Sequence, residues 1–194
     1  MNQKILDHYN EGLRVYRLLL NDLPKIEEIS KFLVKTIKKK NNIFVYGNGG
    51  SFSDSSHFVG ELTATYENKF RKPLPFYLLA SNTAAVTAWS NDFNFIDYAE
   101  RELSAYAKRG DCLILLSTSG GNLKNKQSLN LIKLAKYCSQ NKIYLVSLLG
   151  KGGGELKKYS NKYIIIPSNN TGSIQEAHKM ILHSICAFMD YSFK

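Results

Sequence analysis

Several things are scarce in this chain of 194 residues, and each scarcity removes a class of protein. There are three cysteines, Cys112, Cys138 and Cys186, isolated and odd in number. No pair is spaced as C-x-x-C, so a reducing cytoplasm and small-hydrophobe roles fit them best. No apolar run approaches the ~18 residues needed to span a bilayer. The start, Met1-Asn2-Gln3-Lys4-Ile5-Leu6-Asp7-His8, lacks the apolar stretch of a signal peptide. A cytoplasmic protein with no membrane partner is expected. Arginine is also scarce. Only Arg14, Arg17, Arg71, Arg101 and Arg109 stand among the 26 cations, against 16 acidic residues and a net charge of +10. Base readout favours Arg, and phosphate tracking needs a dense basic stripe. The one dense run, Lys38-Lys39-Lys40, ends a predicted helix, where it complements the dipole. The charge is read as a solvated Lys-rich surface, and no nucleic-acid partner is expected.

What is present is a regular alternation. No repeat and no low-complexity linker interrupts the chain. In the first forty residues Ile5, Leu6, Tyr9, Leu13, Tyr16 and Leu20, then Ile26, Ile29, Leu33 and Ile37, recur at helical spacing. The period then changes. Short continuous apolar runs fall at 43–46, 76–79, 112–116, 143–148 and 163–166, each bounded by Gly, Ser, Asn or Pro. Continuous runs imply strands covered on both faces. Helices are predicted between them at 53–66, 98–108 and 123–140, with a shorter piece near 155–159 and a long helix from about 173. That order defines an α/β protein with an open, largely parallel sheet. Ligands of such folds sit beyond the carboxyl ends of the strands.

The first strand ends in Gly47-Asn48-Gly49-Gly50-Ser51, ahead of a helix. Glycines let the backbone approach a ligand, and helix N–H groups favour an anion. The spacing is neither the dinucleotide fingerprint nor a Walker loop. The third strand ends in Ser117-Thr118-Ser119-Gly120-Gly121-Asn122, a neutral phosphate cradle in composition. Either turn alone is equally a plain strand–helix connection; two after parallel strands point to a phosphorylated ligand. His57 and Glu61 lie four apart on one helix face, where they could ligate a metal, do acid–base work or simply pair with each other. The last helix carries Gln175, Glu176, His178 and His183 among apolar residues. Of four histidines in the chain, three lie on these two helices.

Taken together, Gly47-Asn48-Gly49-Gly50-Ser51, His57 with Glu61, Ser90-Asn91-Asp92, Ser117-Thr118-Ser119 and Ile174-Gln175-Glu176 with His178 and His183 resemble the phosphoheptose isomerases. These sugar isomerase (SIS) domain proteins convert sedoheptulose 7-phosphate to D-glycero-D-manno-heptose 7-phosphate. The resemblance covers nearly the whole chain. It implies a three-layer α/β/α sandwich with a five-stranded parallel sheet, one SIS domain over 1–194. The N-terminal helical extension, residues 1–40, would serve packing and oligomerisation as a homotetramer. It implies zinc, held by His57, Glu61, Gln175 and His183, with Glu61 and His183 as the catalytic pair. Asn48, Gly49, Gly50, Ser51, Asn91, Asp92, Ser117, Thr118, Ser119, Asn122 and Gln175 would line the substrate. Two departures stand out. Asn122 replaces a phosphate-binding serine of the family, and Ser90 stands where glycine is common.

The chemistry fits those residue types. Aldose–ketose isomerisation moves a proton between neighbouring carbons through an enediol. It needs a base, an acid and a stabiliser of negative charge. The product would feed nucleotide-activated heptose for lipopolysaccharide or capsule. One geometric tension is visible already: Gln175 and His183 are separated by roughly 12 Å of helix rise. If they do not meet, the metal set narrows to His57, Glu61 and His183. The alternative reading is a non-catalytic SIS protein that binds a sugar phosphate or the replication initiator; the joint presence of Glu61 and His183 argues against it.

Overall fold

The structure is a computed structural model that describes residues 2–194. The Asn2 side chain caps the first helix, accepting from the Lys4 amide at 2.9 Å. Helix α1 spans Gln3–Leu19 and a 3-10 turn leads into α2, Leu23–Lys38, with Pro24 in the first turn. There its missing N–H leaves no bond unmade. The chain then alternates: β1 Ile43–Gly47, α3 Gly50–Thr63, β2 Phe76–Leu78, α4 Thr83–Asp92, α5 Phe95–Tyr106, β3 Cys112–Ser117, α6 Leu129–Asn141, β4 Tyr144–Leu149, β5 Lys162–Ile165 and α7 Thr171–Ser192.

All strand pairs are parallel, in the order β2-β1-β3-β4-β5. The runs of β1, β3 and β4 are continuous because both sheet faces are covered there, while the edge strands expose Tyr77 and Tyr163. Ile43, Val45, Cys112, Ile114 and Leu116 point into one core, shared with α1, α2, α3 and α7. Phe44, Tyr46, Leu113 and Leu115 point into a second, shared with α5 and α6. Each fully buried Leu or Ile contributes about 2 kcal/mol of apolar burial. The result is the expected three-layer α/β/α sandwich. The cysteines behave as small hydrophobes: all three are buried. Burial pushes the Cys138 and Cys186 thiols up to about 12. Among the described residues no helix is long and apolar enough to cross a membrane.

Two elements differ from expectation. Helix α6 begins at Leu129 and not at 123. The backbone takes positive φ at Gly120, Gly121, Lys126 and Ser128, and Asn122 bridges Gln127 in a small hairpin. The serine-rich turn after β3 is therefore carried by a loop and not set on a helix N-terminus. Helix α4 was not anticipated. It has no buried residue and hence no apolar period; the Asn82 side chain starts it by accepting from the Ala85 amide.

Strand order reverses between β1 and β3, whose ends lie in register, Gly47 beside Leu116. That switch point is where open α/β sheets leave a crevice. It brings the Gly47–Ser51 turn and the 117–122 loop side by side.

Candidate active site

Helices α3 and α7 pack against each other on one face of the sheet, and their facing side chains form the site. At the top, Gln175 of α7 lies against the backbone of Gly50; a Cβ there would sit 2.1 Å from Gln175 Nε2. Only glycine fits. Further down, His57 Nε2 meets Glu61 Oε1 at 2.8 Å along α3. The His57 ring stands edge-on to the His183 ring, centroids 5.2 Å apart. Tyr66, just beyond α3, stacks on the His183 ring with centroids 5.8 Å apart. Burial raises the Tyr66 pKa, with the nearby Glu67 carboxylate acting in the same direction. His183 and Tyr66 line a cavity of about 530 Å³ that also takes in Tyr16 and Glu176. On its far side Glu176 pairs with His8 of α1 at 2.9 Å.

The end of α3 is held by a pair the sequence did not single out. Arg71 and Asp190 are buried and joined at 2.6 Å. Arg71 also donates to the carbonyls of Glu61 and Leu62, each at 2.8–2.9 Å. Asp190 accepts from the amides of Glu67 and Asn68. One buried ion pair thus fixes both the carbonyl of Glu61 and the loop bearing Tyr66. Those backbone bonds and Arg71 hold the Asp190 carboxyl below its usual range against the opposing effect of burial. The only hint in the sequence is an Arg in a Lys-rich chain.

The strand-end residues form a second group. Asn48 and Asn130 exchange side-chain bonds at 2.8 and 3.0 Å, and Asn130 also donates to Tyr46. Gly49 takes φ +54, and Ser51 is buried in the first turn of α3. In the loop after β3, Ser117 Oγ accepts from the Gly120 amide at 3.0 Å and Ser119 Oγ from the Gly121 amide at 3.2 Å. Thr118 is half-buried between them. A Cβ at Gly120 would lie 2.2 Å from the Gly153 backbone, so the loop closes only with glycine there. Asn122 Oδ1 accepts from the Asn125 amide. Asn91 and Asp92 are exposed at the end of α4 and bond to each other at 2.9 Å. No bond joins them to the α3–α7 group.

Three of the four residues expected around zinc therefore lie together, and Gln175 is held away, against Gly50. His57, Glu61 and His183 are of the donor types zinc takes. Their present arrangement does not fit the ion. His57 Nε2 is spent on Glu61, and among the described residues no three His, Cys, Asp or Glu side chains converge to hold a metal. His178, also on α7, is fully buried, with the Leu149 backbone beside its ring. Burial lowers its pKa to about 4, opposed by the Leu149 backbone.

Fold and seam together are those of a sugar isomerase domain, and the SIS domain model matches residues 10–150. A probable phosphoheptose isomerase of Thermoplasma acidophilum is 37% identical over 96% of this chain and 97% of its own. The phosphoheptose isomerase of Campylobacter concisus is 35% identical over 90% and 89%. The structure of a phosphoheptose isomerase from Francisella tularensis superposes with a TM-score of 0.90 at 26% identity, covering 98% of this chain and all of the other. The chain belongs to the phosphoheptose isomerase family of SIS-domain proteins. It is an enzyme.

Proposed function

We propose that the chain isomerises sedoheptulose 7-phosphate to D-glycero-D-manno-heptose 7-phosphate, with Glu61 and His183 exchanging the protons. The observation that carries the reading is the clustering of Glu61, His57 and His183 on the seam of two helices, one of which opens at the glycine turn after β1. In the ketose-to-aldose direction a base removes a proton from C1 while an acid delivers one to the C2 carbonyl oxygen, giving the enediol. Returning a proton to C2 and removing the one on the C1 oxygen leaves the aldehyde at C1. Nothing is oxidised or reduced overall. Glu61, half-buried and fixed by Arg71 through its backbone, is suited to shuttle the carbon-bound proton. His183, packed against His57 and Tyr66, is suited to serve the oxygens. The Gly47–Ser51 turn, the 117–122 loop and Gln175 would hold the phosphoryl end, turning binding into orientation of the reacting end.

Zinc belongs to this proposal but not to its steps. His57, Glu61 and His183 would hold it once the His57–Glu61 bond opened, without Gln175, which lies against Gly50, and it would polarise substrate oxygens. Self-association to a tetramer in the cytoplasm is proposed with it. Ile5, Tyr9 and Leu13 stand more than half exposed along α1 and favour burial against further copies. The product would supply nucleotide-activated heptose for lipopolysaccharide or capsule. The test is an NMR assay with sedoheptulose 7-phosphate. Glu61→Gln should lower kcat by about 10²–10⁴-fold, the usual worth of a positioned acid or base, with the fold intact. Full activity in that variant refutes the mechanism.

A further inference from the structure

The α3–α7 seam has three rungs, and the middle one has no role so far. Gly50 meets Gln175 at one end and His57 meets His183 at the other. Between them Asp54 Oδ1 faces Lys179 Nζ at 3.4 Å. Positions 175, 179 and 183 recur every four residues, so the three share one stripe of α7. Lys179 lines the same cavity as His183. Its side chain is 49% exposed while that of Asp54 is 10% exposed, so the ammonium is anchored on one side and open on the other. A half-exposed pair of this length adds little to stability, too little for cross-linking two helices to be its purpose.

We propose that Lys179 is a substrate-binding residue, whose ammonium, aimed by Asp54, donates to oxygens along the middle of the bound sugar phosphate. The inference rests on the isomerase reading. A sugar held at the Gly50–Gln175 end and reacting at the Glu61–His183 end must pass the middle rung. The motifs at either end hold neither Lys nor Arg. Among the described residues Lys179 is the one Lys or Arg lining the cavity it shares with His183. A charge-assisted hydrogen bond to the substrate is worth about 1.5–3 kcal/mol, so its loss weakens binding by about ten- to a hundredfold.

The experiment measures sedoheptulose 7-phosphate binding by calorimetry, turnover by NMR and thermal unfolding, in wild type, Lys179→Met, Lys179→Arg, Asp54→Asn and Lys31→Met. Lys31 is an exposed cation on α2 paired with Glu27, and its removal controls for net charge. Expected are a Kd raised at least tenfold in Lys179→Met with Tm unchanged, a partial return in Lys179→Arg, a smaller rise in Asp54→Asn and wild-type values in Lys31→Met. A wild-type Kd in Lys179→Met overturns the inference, even where wild-type turnover upholds the isomerase reading. Equal losses of Tm in Lys179→Met and Asp54→Asn without a change in Kd overturn it in favour of a structural cross-link. Binding without turnover in wild type refutes the isomerase step alone, and the Kd comparison still decides Lys179. A wild type that neither binds nor turns over overturns both.

Discussion

His178 should make the protein acid-sensitive, and its environment sets the size of the effect. The imidazole is fully buried in α7, and burial lowers its pKa from 6.5 to about 4. A depressed histidine pKa means that the folded state resists a proton the unfolded chain accepts. Above pH 6.5 both states carry the neutral ring, and the group has no pH-dependent effect. Below it the unfolded chain gains a proton and the folded chain does not, until the pH reaches about 4. Across that window stability falls by about 1.4 kcal/mol per pH unit, or about 3 kcal/mol in total. His178→Leu removes the titration at similar volume. The Leu149 carbonyl beside the ring also accepts from the Ile166 amide, so the replacement strands no buried partner and should cost less than about 1.5 kcal/mol at neutral pH. Urea unfolding of both proteins, at one protein concentration and at pH 7.5, 6.5, 5.5 and 4.5, gives the comparison. The wild type should lose ground steadily to the variant below pH 6.5. Other titrating groups cancel in the difference. Two curves that stay parallel down to pH 4.5 refute the assignment of a buried neutral imidazole.

Arg71→Met leaves Asp190 charged and buried with its ion-pair partner gone, and should cost about 3–5 kcal/mol in urea unfolding. It should also lower kcat in whatever fraction stays folded, because Arg71 grips the Glu61 carbonyl; a variant as stable as wild type would show that the pair is not isolated from water. Dialysis against a chelator should reduce isomerase activity at least tenfold, with recovery on adding zinc. Undiminished activity in verified metal-free protein removes zinc from the proposal.

Much of the fold was legible because its physical causes are local. The central strands β1, β3 and β4, buried on both faces, must be nearly continuous apolar runs, and they are; the edge strands β2 and β5 expose Tyr77 and Tyr163 and were legible from their apolar residues and flanking turn residues. Helix α4 was not, because an element with no buried face leaves no period to read. The true start of α6 depends on positive φ at Lys126 and Ser128, residue types that do not advertise it. In the site, His57 and Glu61 were legible as a pair because four-residue spacing places them on one helix face. The meeting of His57 with His183, and of Arg71 with Asp190, spans more than a hundred residues, so only tertiary packing reveals it. Lys179 is one of many lysines in the sequence, and nothing but its position opposite Asp54 marks it.

The division of labour in the molecule follows from these placements. The turns at the sheet's switch point are built from hydroxyls, amides and glycines, groups that could hold an anion without titrating. The titratable groups stand apart, on the α3–α7 seam. The two regions are not independent, because Gly50 belongs to both: it opens α3 after the glycine turn, and its missing side chain admits Gln175 of α7. Any shift of α7 along α3 would therefore move Gln175 against the turn and His183 against His57 together. Holding that register takes a fixed anchor at the far end of the seam, and the buried Arg71–Asp190 pair is placed to supply it. On this reasoning a substitution at Arg71 acts on catalysis through geometry alone, and it should disturb substrate binding and turnover jointly.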